Sequence, residues 1–206
     1  MQAAAHLRAA DPVLGALIDA LGADGLGAPR TRRPDDHYGA LVRAIVGQQL
    51  STKAASTIYG RLTERYGGRT PTPAELLADD LEALRAAAGL SRAKARYLHS
   101  LAEHVVSGEL ELERLDDMPE DEVIAELTAV RGLGRWTADM FLMFHLDRPD
   151  VLPVGDLGIR RAVERAYGLP GLPDPAQLTQ IAEPWRPHRT LACRYLWHSL
   201  DNEPTA

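Results

Sequence analysis

Apolar side chains recur at the spacing of an α-helix along most of this chain. In segments 12–21, 38–50 and 94–106 they fall at positions i, i+3, i+4 and i+7, which lie on one face of a helix. No segment alternates apolar and polar residues as a half-buried strand does. The pattern therefore predicts an all-α fold of roughly ten short helices joined by short loops.

Capping residues mark several of the predicted helix starts. Asp11, followed by a proline, opens the first predicted helix, Ser51 precedes another, and Pro119 with two acidic residues opens a third. Segments 67–75 and 168–175 are rich in Gly and Pro, and we expect them to be loops between helices.

The composition of the chain excludes several kinds of metal site and argues against a membrane or secreted protein. A single cysteine, Cys193, excludes an internal disulfide, a cysteine-ligated iron–sulfur cluster and a multi-cysteine zinc site. No apolar run approaches the ~18 residues of a membrane span, and the N-terminus lacks the apolar core of a secretory signal. The net charge of −6 argues against non-specific coating of nucleic acid. We expect a bacterial, cytoplasmic protein, with no membrane partner.

The segment VRGLGRWTA at 130–138 lies between two predicted helices, 120–130 and 135–146. Gly132 can adopt a positive φ and end the first helix. Gly134 would leave the amides at the start of the second helix exposed, and such amides bind phosphate without side-chain charge. The alternative is a plain corner between two helices. Segment 89–95 has a similar sequence, which any helix-capping glycine followed by a new helix would also produce.

Segment 130–138 resembles the hairpin of the helix-hairpin-helix (HhH-GPD) superfamily of base-excision DNA glycosylases. The residues that match are Gly132, Leu133, Gly134, Thr137 and Ala138, whereas Arg131 stands where proline is common. In that superfamily a catalytic Asp follows the second helix of the hairpin, and Asp156 in VLPVGDLGIR occupies the corresponding place. By itself, Asp156 also reads as an ordinary N-cap of the next helix, and the two roles are compatible.

A third match is IVGQQLS at 45–51, which resembles a loop between two helices of this superfamily. In relatives a residue of this loop wedges into the duplex where the damaged base has left the stack. The resemblance assigns this role to Gln49 or else to Gln48, with Ser51 also facing DNA. The alternative is a solvated polar loop.

The residue two positions after Gly134 separates the branches of the superfamily. In bifunctional enzymes a Lys there forms a Schiff base, but this chain has Trp136, so no lyase activity is expected, with Lys94 as the nearest substitute. The tryptophan resembles the AlkA-type DNA-3-methyladenine glycosylase II subfamily. There it lines the base pocket, together with an aromatic that matches Trp197. A further pocket aromatic of the subfamily would fall at Met140 or Leu157, and neither residue is aromatic in this chain. Core packing is the alternative for both tryptophans.

The resemblance also implies DNA contacts and a cation site. Besides the loop and hairpin residues, we expect Arg135, Arg160 and Arg161 to hold the phosphate backbone. The backbone carbonyls of three residues would bind Na⁺ or K⁺, and these residues are Thr128, Val130 and Leu133. No organic cofactor and no catalytic metal is expected.

The superfamily fold has two helical lobes with a cleft between them. For this chain we predict a central lobe at 46–147 and a terminal lobe formed by 1–45 and 148–206. The implied function is that of a monomeric, monofunctional glycosylase that excises alkylated bases from duplex DNA. Two alternatives remain at this point: the same fold with a preference for deaminated or oxidised purines, and a non-catalytic helix-hairpin-helix module.

Overall fold

The computed structural model describes residues 2–22 and 36–200 of the chain. Within these residues every regular element is helical, as predicted: twelve α-helices and two single-turn 3₁₀ helices, with no strand. The α-helices are α1 Gln2–Ala10, α2 Pro12–Leu21, α3 His37–Gly47, α4 Thr52–Arg65, α5 Pro73–Ala78, α6 Leu81–Ala88, α7 Arg92–Ser107, α8 Glu120–Ala129, α9 Arg135–Phe144, α10 Leu157–Tyr167, α11 Pro175–Ile181 and α12 Arg189–His198. The 3₁₀ helices are Leu112–Arg114 and Glu183–Trp185.

The predicted helix starts are found, with one correction. Ser51 caps α4 by accepting a hydrogen bond from the amide of Ala54, and Pro119 stands at the N-cap position of α8. Asp11 caps α2, which is the second helix and not the first. Helix α1 was missed because Leu7 is its only buried residue, so it carries no apolar periodicity.

The described residues pack as two units, which we call the central unit (Arg33–Phe141) and the terminal unit (the remainder). Their boundaries differ from the predicted lobes, because α3 belongs to the central unit. Helix α3 packs on α4 and α7 and buries four apolar side chains completely. These are Leu41, Val42, Ile45 and Val46. The second boundary falls within α9, between Phe141 and Leu142.

The terminal unit is built from α1, α2, α10, α11 and α12, with α10 and α2 each packed on α12. Its core includes Trp185, which is fully buried. Among the residues described, no helix has both the length and the apolar composition needed to cross a membrane.

A buried carboxylate ties three segments of the terminal unit together. Asp11 is 5% exposed, and its Oδ1 accepts from the amides of Val13 and Leu14 at the start of α2. Its Oδ2 accepts from the Tyr167 hydroxyl and, at 2.8 Å, from Trp185 Nε1. Burial raises the pKa of Asp11, but these four donors outweigh it and leave the pKa below its ordinary value.

Replacing Asp11 should therefore cost stability in a pH-dependent way. In Asp11→Asn the amide NH₂ faces the Trp185 donor, so the free energy of unfolding should fall by about 2 kcal/mol at pH 7. Because the folded-state pKa is depressed, the wild-type advantage exists above the unfolded-state pKa of about 4 and is lost as the pH falls through the folded-state value. Urea unfolding at pH 7 and pH 3 measures both effects.

Asp174→Asn is the matched control. Asp174 is an exposed N-cap whose side chain accepts from the Gln177 amide, and Asn caps as well as Asp. This variant should change stability by less than about 0.5 kcal/mol at either pH. A wild-type advantage over Asp11→Asn that stays constant between pH 7 and pH 3 would contradict the account.

Candidate functional site

In the central unit, residues 130–134 form a tight turn between α8 and α9. Helix α8 ends at Ala129, and Val130 turns the backbone out of the helix with φ −75° and ψ 124°. The Leu133 amide donates to the Val130 carbonyl at 3.1 Å, which closes the turn. Val130 and Leu133 are buried, whereas Gly134, Arg135 and Trp136 are exposed. The turn is thus anchored by apolar side chains and presents its other side to solvent.

Gly132 has a positive φ of 98°, which confirms that prediction. It does not end α8, however, since that helix stops three residues earlier, at Ala129. Gly132 also leaves space for an aromatic ring, because a Cβ at this position would lie 2.2 Å from Cγ of Tyr97. Glycine is therefore required here by the positive φ of the backbone and by the adjacent Tyr97 ring.

The first turn of α9 has the properties of an anion site. Its leading amides have no partner within the helix, and they lie at the positive end of the helix dipole. A Cβ on Gly134 would meet no atom within 4 Å, so space in front of this turn is open. Arg135 is 59% exposed, and its Nε donates to Oδ1 of the buried Asp139 at 2.9 Å. This arrangement suits a phosphate group.

Trp136 is 42% exposed, an unusual exposure for so large an apolar ring. Met140 lies one turn further along the same face of α9 and is 8% exposed. Thr137, which the hairpin pattern singled out, is buried at the base of the helix. Of the hairpin residues, Trp136 is thus the one that offers a flat aromatic face to a ligand.

The three carbonyls predicted to bind a cation lie at the end of α8 and in the turn that follows it. The carbonyl of Thr128 lies in the final turn of the helix, where it has no amide four residues ahead within the helix. The Val130 and Leu133 carbonyls follow within the turn. Neutral carbonyl oxygens are hard ligands, which suits an alkali cation.

The loop between α3 and α4 is held against the hairpin. The Gln48 side chain donates from Nε2 to the Gly132 carbonyl at 2.8 Å, and Ser51 caps α4. Gln49 is exposed and has a left-handed backbone with φ 57°, which is uncommon for a residue other than glycine. Of the two glutamines, Gln48 is thus bonded to the hairpin and Gln49 faces solvent.

Lys94, the residue considered as a substitute for the Schiff-base lysine, is partly buried in α7. Its Nζ donates to the Val46 carbonyl at 2.8 Å, and burial lowers the pKa of its ammonium group. The similar segment at 89–95 is a helix-capping turn: Gly89 is left-handed and ends α6, and Ser91 caps α7.

In the terminal unit, Asp156 is the N-cap of α10 and is 8% exposed. Its Oδ1 accepts from the Ile159 amide at 2.8 Å and from Nε1 of Trp197 at 2.9 Å. Trp197 is 1% exposed, and its ring packs against Phe144 with centroids 6.0 Å apart. The predicted capping role of Asp156 is confirmed, and a buried indole fixes the direction of its carboxylate.

Three other predicted residues follow Asp156 on α10. Leu157 is 45% exposed, next to the carboxylate in sequence. Arg160 donates from Nε to the Pro173 carbonyl at 2.7 Å, so its guanidinium is engaged within the chain, whereas Arg161 is exposed. Of the two arginines, Arg161 is the one with an exposed side chain for a phosphate.

Gly158 was missed by the sequence analysis. A Cβ there would lie 3.0 Å from Oδ1 of Asp156 and 3.1 Å from Cδ1 of Trp197. The available signal was a glycine within a predicted helix, where glycine is a poor helix former relative to alanine. Gly158 therefore allows the carboxylate and the indole to meet.

We expect Gly158→Ala to lower activity more than stability. The added methyl group must displace the Asp156 carboxylate or the Trp197 ring by a few tenths of an ångström, whereas the helix gains in propensity. The single-turnover rate of the reaction that the resemblance implies should fall about tenfold, with less than about 1 kcal/mol change in the free energy of unfolding. Gly60→Ala in α4, where a Cβ meets no atom within 4 Å, should leave activity unchanged. Equal activity of the two variants would argue against this role.

Comparisons with known proteins agree with this architecture. Residues 42–187, more than half of the chain, match the sequence model of the HhH-GPD superfamily base excision DNA repair proteins. DNA-3-methyladenine glycosylase 1 of Schizosaccharomyces pombe is 39% identical over 173 residues, which cover 82% of this chain and 74% of that protein.

Solved structures give the same result. The S. pombe 3-methyladenine DNA glycosylase Mag1 in complex with abasic DNA superposes with a TM-score of 0.82 at 34% identity, covering 100% of both chains. The DNA-3-methyladenine glycosidase of Bacillus halodurans has a TM-score of 0.82 at 39% identity, covering 96% of this chain and 88% of that one. The hairpin, the all-helical fold and these similarities together show that the chain belongs to the HhH-GPD superfamily of base excision DNA repair proteins.

Proposed function

We propose that this protein is a monofunctional DNA glycosylase that hydrolyses the N-glycosidic bond of alkylated bases, with 3-methyladenine as the representative substrate. Membership of the superfamily and similarity to proteins named 3-methyladenine glycosylases support the reaction and the substrate class. The observation that carries the mechanism is the buried carboxylate of Asp156, held on one oxygen by the Ile159 amide and the Trp197 indole.

DNA binding is assigned to the central unit and to one arginine of the terminal unit. The amides at the start of α9, from Gly134 to Thr137, would bind a backbone phosphate, and Arg135 would add charge nearby. Arg161 of the terminal unit would bind phosphate as well. Because these contacts use the backbone, they do not require a basic protein, and the net charge of −6 is no obstacle. The carbonyls of Thr128, Val130 and Leu133 would hold an alkali cation, which would supply positive charge near that phosphate.

The damaged nucleotide must leave the helix stack before it can react, at a cost of a few kcal/mol. We propose that Gln49 fills the gap left by the flipped nucleotide, because the Gln49 side chain is exposed at the tip of the loop between α3 and α4. Gln48 instead holds the loop to the hairpin through the Gly132 carbonyl.

In the chemical step, the bond between C1′ and the base nitrogen breaks, and its electron pair leaves with the base. The sugar becomes positively charged, and the carboxylate of Asp156 stabilises that charge. Water then adds to C1′ and loses its proton to the carboxylate or to solvent. An alkylated purine such as 3-methyladenine is cationic before cleavage and neutral afterwards, so no strong general acid is needed.

The exposed ring of Trp136 suits a cationic base, because the face of an indole attracts positive charge. Trp197, expected to line the same pocket, is 1% exposed, and we assign it to the orientation of Asp156. Met140 and Leu157 are not aromatic, so the aromatic surface that meets the base is smaller than in the subfamily pattern.

No β-elimination of the abasic product is expected. The position of the Schiff-base lysine holds Trp136, and the Lys94 amine donates to the Val46 carbonyl. We further propose that the protein acts as a monomer. We also propose that it acts on chromosomal DNA in a bacterial cytoplasm.

The experiment that tests this function is the release of free bases from treated DNA, measured by mass spectrometry. Duplex DNA is methylated in one sample and deaminated with nitrous acid in the other. Release of methylated purines supports the proposal. Release of hypoxanthine alone would favour a deaminated-purine glycosylase, and DNA binding without release of any base would favour a non-catalytic module.

A further inference from the structure

Two residues of α7 contact the two DNA-facing segments of the central unit. Lys94 lies one turn before Tyr97 on this helix, so the two side chains share a face. Lys94 donates to the Val46 carbonyl in the last turn of α3, directly before the loop that carries Gln49. The Tyr97 ring occupies the space beside Gly132 in the hairpin, where a Cβ would lie 2.2 Å from it.

A third contact connects the loop between α3 and α4 directly to the hairpin. Gln48, in the loop, donates to the carbonyl of Gly132, the same residue that Tyr97 covers. The loop is therefore connected to the hairpin directly through Gln48 and indirectly through α7. Lys94 also satisfies a carbonyl at the C-terminal end of α3, where a cation is favoured by the helix dipole.

The backbone of Gln49 shows why such support is needed. Its φ of 57° is a conformation that a residue with a side chain adopts only when its surroundings impose it. Leu50 beside it is 37% exposed, so the tip of the loop gains little from burial. The contacts on either side of the tip, from Lys94 and Gln48 before it and from the Ser51 cap after it, hold this backbone in place.

We propose that Lys94 is a positioning residue that, together with Tyr97 and Gln48, fixes the loop bearing Gln49 on the hairpin. The side chain that enters the duplex is thereby set at a constant distance from the phosphate that the hairpin binds. This inference rests on the proposed function, because it requires Gln49 to fill the gap. Neither a Schiff-base role nor a phosphate contact explains why the Nζ of Lys94 is directed at a backbone carbonyl.

The test uses a duplex with a tetrahydrofuran abasic analogue opposite 2-aminopurine, whose fluorescence changes when a side chain fills the gap. This probe needs no catalysis. At saturating wild-type protein we expect a clear change, and Lys94→Met should lose at least about half of it, while excision from a paired duplex slows about tenfold. Lys53→Met removes the same charge from an exposed position, so it should keep both signals. Thermal unfolding of each variant confirms that it is folded.

A double-mutant comparison separates this inference from the wedge assignment. Gln49→Ala should lose the fluorescence change and slow excision, and adding Lys94→Met to it should slow excision no further, because both act through the same loop. A full signal in Lys94→Met with a lost signal in Gln49→Ala would overturn the positioning role and leave the wedge intact. A full fluorescence signal in Gln49→Ala would overturn both the wedge assignment and the positioning role. Additive losses of excision rate in the double mutant would overturn the positioning role, because Lys94 would then act elsewhere.

Discussion

Asp156→Asn should reduce the rate of base excision about 10³-fold while leaving the protein folded and able to bind DNA. The neutral amide cannot stabilise the positive charge that develops on the sugar. Its oxygen can still accept from the Ile159 amide and from Trp197 Nε1, the two donors that the carboxylate oxygen now serves. Single-turnover release of 3-methyladenine, with enzyme in excess, measures the chemical step.

The matching controls are stability and affinity. Because Asn is as good an N-cap as Asp, the free energy of unfolding should change by less than about 1 kcal/mol. Affinity for a duplex with an abasic analogue should remain within about threefold, since the proposed phosphate contacts do not involve this residue. A variant that excises within tenfold of the wild-type rate would remove Asp156 from the catalytic role.

Gly132→Ala should have the largest effect on stability of any substitution in the hairpin. The alanine must adopt a φ of 98°, which costs about 1–3 kcal/mol, and its methyl group must displace the Tyr97 ring, which costs about as much again. We expect the free energy of unfolding to fall by about 3 kcal/mol. Urea unfolding measures this loss, and DNA affinity should fall with it as the hairpin is displaced.

Gly134→Ala, two residues away, is the control for this effect. Its Cβ would meet no atom within 4 Å, and its φ is not positive, so stability should change by less than about 1 kcal/mol. The methyl group would stand in the open space before the α9 amides, so we expect weaker DNA binding without unfolding. Equal stability losses in the two variants would contradict the role assigned to Gly132.

The helical fold and the hairpin were predictable because their signals are local. Apolar spacing along each helix and the two glycines of the turn lie within short segments of sequence. Helix α1 escaped detection because it buries only Leu7. The unit boundaries differed from the prediction because the packing of α3 on α4 and α7 is a tertiary property.

The contacts that support the site join residues far apart in the chain, and no periodicity encodes them. Trp197 reaches Asp156 across 41 positions, and Lys94 reaches Val46 across 48. The sequence marked Trp197 as a pocket aromatic, but its hydrogen bond to the carboxylate depends on how α10 and α12 pack. Resemblance therefore identified the residue, and only the structure gave its contact.

The most direct test of the central claim is a duplex with one 3-methyladenine at a defined position, incubated with the wild-type protein. Each reaction is divided between hot alkali and no treatment, and a further sample receives borohydride, which traps a Schiff base. We predict strand breaks above the enzyme-free control only after alkali, and no trapped protein–DNA adduct. Breaks without alkali, together with a trapped adduct, would contradict this prediction and show a lyase.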